Sequence, residues 1–161
     1  MGAEARPGPD VIRVLILATD LSAVSEGAAE AAIGLAVEHR ATLIVLSVID
    51  PNGLRLPGGR FLRRVDQERA RVEAGAQAIV RRARDAGARA TFLVWEGDPA
   101  ETILSASESE RADIIVLGSH DRGRLGRLVL GSISTRVSAG ARCGVLVVPR
   151  EPPASGRLSR C

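Results

Sequence analysis

The sequence predicts a single-domain α/β fold, a five-stranded parallel sheet with helices on both faces. Two observations carry that expectation. Five continuous apolar runs, rich in β-branched residues and without clean alternation, read as strands buried on both faces. Between them lie four segments whose apolar residues step by three or four, the spacing of helices with one buried face. Strand and helix alternate throughout, which makes neighbouring strands parallel and sends connections to either side of the sheet. The length, 161 residues, suits one domain.

In chain order, VIRVLILA at 11–18 is the first strand. The first helix covers 22–39, with Ser22 as its N-cap and Ala28, Ala32, Leu35 and Ala36 on the buried face. TLIVLSVI at 42–49 is the second strand. The connection at 50–65, DPNGLRLPGGRFLRRV, is long and rich in Gly, Pro and Arg, and reads equally as a surface loop or as a lid over a site. A second helix over about 66–86 carries Val72, Ala76, Ile79, Ala83 and Ala86, and Gly87 stops it. TFLVW at 91–95 is the third strand. Asp98-Pro99-Ala100-Glu101 has the form of a capping box for the third helix, with Ile103 and Leu104 on the buried side. DIIVLG at 113–118, a helix from near Ser132 to Gly140, and GVLVVP at 144–149 complete the order. Residues 1–10 and 150–161 read as a disordered leader and tail around a domain at 11–149.

Composition excludes several function classes. Hydrophobic residues make up 45% of the chain but aromatics only 2%, so the core must be Ala, Val, Leu and Ile. No apolar run reaches about 18 residues, so no transmembrane helix or membrane partner is expected. MGAEARPGPD lacks the apolar stretch of a secretory signal. Two cysteines, Cys143 and Cys161, suggest no structural disulfide, and a cytoplasmic location fits. With His39 and His120 as the only histidines, no zinc ligand set can be read. All 22 basic residues are arginine, which rules out a Walker A loop and a Schiff-base lysine. A net charge of +3, spread arginines and few aromatics argue against nucleic acid.

The densest signal is GSHDRGRLGRLVLGSIS at 118–134. Open parallel sheets bind ligands beyond the carboxyl ends of their strands, where Thr19-Asp20, Val48 to Asp50 and Gly118 all fall. Gly118 lets a ligand approach the backbone closely. Gly131-Ser132 opens a helix, whose unpaired amides attract anions, and Ser132 and Ser134 add hydroxyls. Arg122, Arg124, Arg127 and Arg136 against Asp121 leave a local charge of +3. A phosphate-bearing ligand is the simplest occupant; by spacing alone, a solvated loop before a helix cap reads equally well.

Other constellations carry less. Ser119-His120-Asp121 are adjacent in sequence, whereas nucleophilic triads converge from separate segments, so no catalytic residue is assigned. His39 at a helix end reads as a cap. Asp20 has no neighbouring carboxylate, although Asp50 and Glu96 also fall at strand ends. The turn after the first strand is not G-x-G-x-x-G, which argues against a dinucleotide oxidoreductase. Trp95 reads as packing.

The 118–134 loop resembles the phosphate loop of the universal stress protein family: glycine, two residues, glycine, nine residues, glycine, then serine or threonine. Ala18-Thr19-Asp20, Ser47-Val48-Ile49-Asp50, Gly97-Asp98-Pro99 and the run from Cys143 to Val148 match further family features, and the similarity covers about 11–149. The resemblance implies a Rossmann-like, adenine nucleotide alpha hydrolase-like sheet in strand order 3-2-1-4-5. It also implies ATP as ligand and a homodimer through the Val145–Val148 edge strand, paired antiparallel with its counterpart. It implies further that Thr19, Asp20 and Val48 line an adenine pocket and that Gly118, Gly131, Ser132 and Ser134 contact ribose or phosphates. Leu117, Ser119, Asp121, Arg122 and Ile133 belong to the same candidate site.

One position departs from the pattern: the second glycine is Asp121. If the backbone there is left-handed, aspartate costs up to about 1–2 kcal/mol relative to glycine. Its charge, about 4 Å from a phosphate, is opposed by about 1 kcal/mol in water-like surroundings and about 4 kcal/mol at an effective dielectric of about 20. Flanking arginines offset this, and a magnesium ion between Asp121 and the phosphates would reverse its sign. The expectation is a dimeric stress-response protein that binds ATP with slow or no hydrolysis and is read by an unknown protein partner. The alternatives are a family member that binds no nucleotide and acts by dimerisation and protein contacts, and a slow ATPase.

Overall fold

The structure, a computed structural model, describes residues 11–54, 61–119 and 131–149. The expected leader and tail, residues 55–60 of the suggested lid, and His120, Asp121 and Arg122 of the loop lie outside the described residues.

The five strands are β1 (Val14–Ala18), β2 (Thr42–Ile49), β3 (Arg89–Glu96), β4 (Ile114–Gly118) and β5 (Gly144–Val148). They form one parallel sheet in the order β3-β2-β1-β4-β5. The helices are α1 (Glu26–His39), α2 (Phe61–Asp85), α3 (Pro99–Ser109) and α4 (Ser132–Gly140). Short 3₁₀ turns at Ala23–Ser25 and Pro51–Leu54 precede α1 and α2.

Strand side chains alternate between two apolar layers, because successive residues point to opposite faces. Leu15 and Leu17 of β1, Leu43 and Val45 of β2 and Val116 of β4 pack with the inner faces of α1 and α2. Ile16, Ala18, Ile44, Leu46, Ile115 and Leu117 pack with α3 and α4. Both faces are therefore dry, which is why these strands read as continuous apolar runs. Each fully buried Leu or Ile contributes about 1.5–3 kcal/mol. The buried face of α1 is Ala28, Ala29, Ala32, Ile33 and Ala36, mostly small side chains against the sheet.

The ends of the elements refine the sequence reading. β1 begins at Val14, and Val11 is 56% exposed. Asp113 sets this start: its Oδ2 accepts the backbone N–H groups of Arg13 at 2.7 Å and Val14 at 3.0 Å, fastening β1 to the entry of β4. Ser22 caps a 3₁₀ turn rather than α1, makes no side-chain capping bond, and α1 starts four residues later at Glu26. α2 starts at Phe61, inside the stretch expected to be loop. It stops where Gly87 takes φ +96°, a conformation glycine adopts without strain. β3 begins two residues before the expected run. Asp98 caps α3, its carboxylate accepting Glu101 N–H at 3.0 Å.

Candidate functional site

α1 follows β1 on one face of the sheet, and α4 follows β4 on the other. β1 and β4 are neighbours, so their connections diverge and leave a crevice at the carboxyl ends. A cavity of about 140 Å³ occupies it. Its inner wall is apolar: Leu46 and Val48 from β2, Leu117 from β4 and Ile103 from α3. Thr19, Asp20 and Ser25 border one side, and Ile133 and Ser134, from the first turn of α4, border another. An engineered apolar cavity of about 150 Å³ admits benzene, so this volume suits one ring-sized group.

The turn after β1 is tightly bonded. Thr19 N–H donates to Leu46 O at 3.0 Å, and Ser47 Oγ donates to Thr19 O at 2.9 Å. Ser25 Oγ donates its only proton to Ser22 O at 2.8 Å. Thr19 Oγ1, 2.9 Å from Ser25 Oγ, is therefore the donor of that pair, and it accepts Leu21 N–H at 3.0 Å. Asp20 Oδ1 accepts both Ser22 N–H, at 3.0 Å, and Ser22 Oγ–H, at 2.7 Å. Leu21, inside this clasp, has φ +62°, a left-handed conformation costing about 1–2 kcal/mol for an L residue. Gly118 passes the same turn closely: a Cβ there would lie 3.4 Å from Ser25 Cα and 3.7 Å from Val24 O.

Two arginines on the neighbouring helices are engaged by carboxylates. Arg71 of α2 is held by Glu68 through Nε–Oε2 at 3.0 Å and Nη2–Oε1 at 2.5 Å. That hydrogen bonding raises the guanidinium pKa against partial desolvation, and the charges of Glu68 and Asp20 add to the rise. Arg136 was counted with the loop's positive charge in the sequence reading. The structure pairs it instead with Asp98, whose carboxyl is held below its usual range chiefly by this bond. Arg136 Nη2 also lies 3.8 Å from Glu101 Oε1. Among the described residues, no three His, Cys, Asp or Glu side chains group to hold a metal.

Of the candidate site residues, Thr19, Asp20, Val48, Leu117, Gly118, Ile133 and Ser134 border the one cavity. Ile133 is 42% exposed at its rim. Ser119, next to the cavity in sequence, is fully buried; its N–H donates to Val148 O at 2.9 Å, while its hydroxyl has no partner among the described residues. Gly131 is the N-cap of α4 and makes no side-chain capping bond, and Ser132 follows it at the exposed helix start. Asp121 and Arg122 lie outside the described residues. Ser25, Leu46, Pro99 and Ile103 were missed. The signal for the last two was available, since a capped α3 directs its first buried turn toward the strand ends.

A family model described as the universal stress protein family matches residues 12–149. The chain is 36% identical over 141 residues to a universal stress protein of Thermus aquaticus, covering 86% of this chain and 99% of that one. It is 31% identical over 153 residues to universal stress protein MJ0531 of Methanocaldococcus jannaschii, covering 90% and 86%. Among solved structures, MJ0577 of the same organism superposes with a TM-score of 0.77 at 24% identity, over 89% of this chain and 99% of that one. An Archaeoglobus fulgidus universal stress protein in complex with dAMP gives 0.66 at 19% identity, over 86% and 98%. An Arabidopsis thaliana family protein with AMP bound gives 0.62 at 17% identity, over 89% and 97%. At these identities the structural likeness establishes the shared sheet and its strand order. The chain belongs to the universal stress protein family.

Proposed function

We propose that the chain binds an adenine nucleotide, ATP foremost, in the crevice between β1 and β4. The observation that carries this reading is the ring-sized apolar cavity whose polar rim opens toward the start of α4. The base enters among Leu46, Val48, Ile103 and Leu117, with Thr19 and Asp20 at its edge. Ribose and phosphates extend past Gly118 toward Gly131, Ser132 and Ser134, where amides at a helix start favour negative charge. The Ser119 hydroxyl, Ile133 and Arg122 complete the set. Relatives of this fold that hold AMP and dAMP support the ligand class. In the loop, Asp121 stands where the family pattern has glycine, and would share a magnesium ion with the phosphates. That ion would supply charge neutralisation there.

A homodimer through β5 belongs to the same reading. Among the described residues β5 ends the sheet beside β4, and an exposed edge is a template for pairing. Occupancy of the crevice is the signal that a protein partner reads. No residue set is assigned to fast hydrolysis.

Asp121 also favours a second reading, in which the loop no longer accepts nucleotide and the protein acts through dimerisation and contacts. Thermal-shift titration of the full chain with ATP, ADP and AMP, with and without magnesium, separates the two. A ligand at about 100 times its Kd stabilises by about 2.7 kcal/mol, a clear rise in Tm. Absence of any rise at millimolar nucleotide rejects the first reading. Asp121→Gly then reports the role of the carboxylate: a gain in affinity marks a repulsive side chain, and loss of the magnesium dependence marks a metal ligand.

A further inference from the structure

Gly75 stands inside α2, where glycine weakens a helix, and its backbone takes no left-handed angle that would call for one. What the position requires is space. A Cβ there would lie 2.7 Å from Leu21 Cδ1, 3.3 Å from Cδ2 and 3.4 Å from Cγ. The close approach extends from both methyls to Cγ, so it is the whole isobutyl group that faces Gly75. Leu21 is the left-handed residue of the turn after β1; Thr19 Oγ1 accepts its N–H, and Asp20 Oδ1 accepts the N–H of the next residue, Ser22. Both of those residues border the crevice cavity, and no residue of α2 does.

We propose that Gly75 is a positioning residue for the candidate site. The notch above it seats Leu21, and a seated Leu21 fixes the left-handed turn that presents Thr19 and Asp20 to the cavity. Its effect on ligand affinity rests on the nucleotide reading above; its effect on the turn does not. A second cavity of about 150 Å³ lies between the turn and α2, bordered by Leu21, Ser22, Gly75 and Ile79. The turn therefore has room to shift when Leu21 is displaced, so a methyl at position 75 moves it without unfolding the chain.

The test compares the full-length wild type, Gly75→Ala, Leu21→Gly and the double variant. Gly34→Ala is the control, since Gly34 is also inside a helix and a Cβ there meets nothing within 4 Å. Gly75→Ala is expected to displace the backbone amide resonances of residues 19–22, to lower Tm where Gly34→Ala raises it, and to weaken ATP binding about tenfold. In the Leu21→Gly background the isobutyl group is gone, so adding Gly75→Ala should change Kd by less than about twofold and leave the amides in place. The proposal is overturned if Gly75→Ala behaves like Gly34→Ala, or if it weakens binding equally in both backgrounds. Should Gly75→Ala fail to fold, recovery of folding in the double variant supports the proposal and its absence overturns it. If the wild type binds no nucleotide, the functional reading fails, and the amide shifts and Tm values still decide whether Gly75 sets the turn.

Discussion

Arg136 of α4 grips Asp98, the N-cap of α3, with both arms of its guanidinium: Nη1 donates to Oδ2 at 3.0 Å and Nη2 lies 2.9 Å from Oδ1. Both helices wall the cavity, α3 with Pro99 and Ile103, α4 with Ile133 and Ser134. The pair braces those walls from outside, tying the start of α3 to α4.

This geometry has a pH signature. Asp98 is lowered below its ordinary pKa, first by the Arg136 hydrogen bond and then by the N–H of Glu101. Its folded pKa is below its unfolded value, so the stabilisation is present above the ordinary carboxylate range and lost as pH falls through the folded pKa. Arg136→Gln should raise the Asp98 midpoint, followed by carboxyl NMR, with little change of Tm at neutral pH because the pair is exposed. Asp98→Ala removes the cap as well and should lower Tm further. An unmoved midpoint in Arg136→Gln would falsify the brace.

Asp113 fastens two strands whose sequence positions lie 99–100 residues apart. Asp113→Ala strips the acceptor from two backbone N–H groups at the start of β1. A loss of about 1–3 kcal/mol is expected in urea unfolding. Asp113→Asn keeps one acceptor oxygen and should lose less. Equal losses in the two variants would show that charge, rather than hydrogen bonding, holds the junction.

Thr19→Val keeps the shape and removes the hydroxyl that accepts Leu21 N–H. Orphaning that donor should cost about 1–3 kcal/mol. Hydrogen exchange at the Leu21 amide should accelerate together with the loss. A stability change with unchanged exchange at Leu21 would place the cost elsewhere.

Leu146, 36% exposed on β5, lies on the edge proposed to pair with a second copy. Leu146→Glu places like charges opposite each other across a two-fold contact, which is unfavourable. Sizing chromatography of the wild type should show twice the 16.9 kDa chain mass, and the variant should elute as the monomer. A monomeric wild type removes the dimer from the proposal.

The sheet was legible because its strands are covered on both faces, so burial is written as runs dominated by Val, Leu and Ile in β1, β2 and β4. The α3 cap was legible because Asp98, Pro99 and Glu101 act within four residues of one another. α1 starts later than its spacing suggests because Ser25 N–H bonds Ser22 O in a 3₁₀ turn, which the Ser25 hydroxyl ties to Thr19. Local spacing carries no trace of that bond. Arg136–Asp98 and Gly75–Leu21 join positions 38 and 54 residues apart, and neither partner's local pattern announces the other. Within the site, Thr19, Val48 and Gly118 were reachable by placing strand ends. Ile103 was reachable through the α3 cap, whereas Ser25 depends on how the 3₁₀ turn before α1 folds back on Thr19.

Thr19 and Ser25 border both hollows, the crevice and the second space beside α2. The partition between the two chambers is made in part by their paired oxygen atoms. Whatever settles on one side therefore leans on the same atoms that bound the other. Paring Ser25 down to glycine would strip a side chain from both hollows at once, so a single change there alters two surfaces.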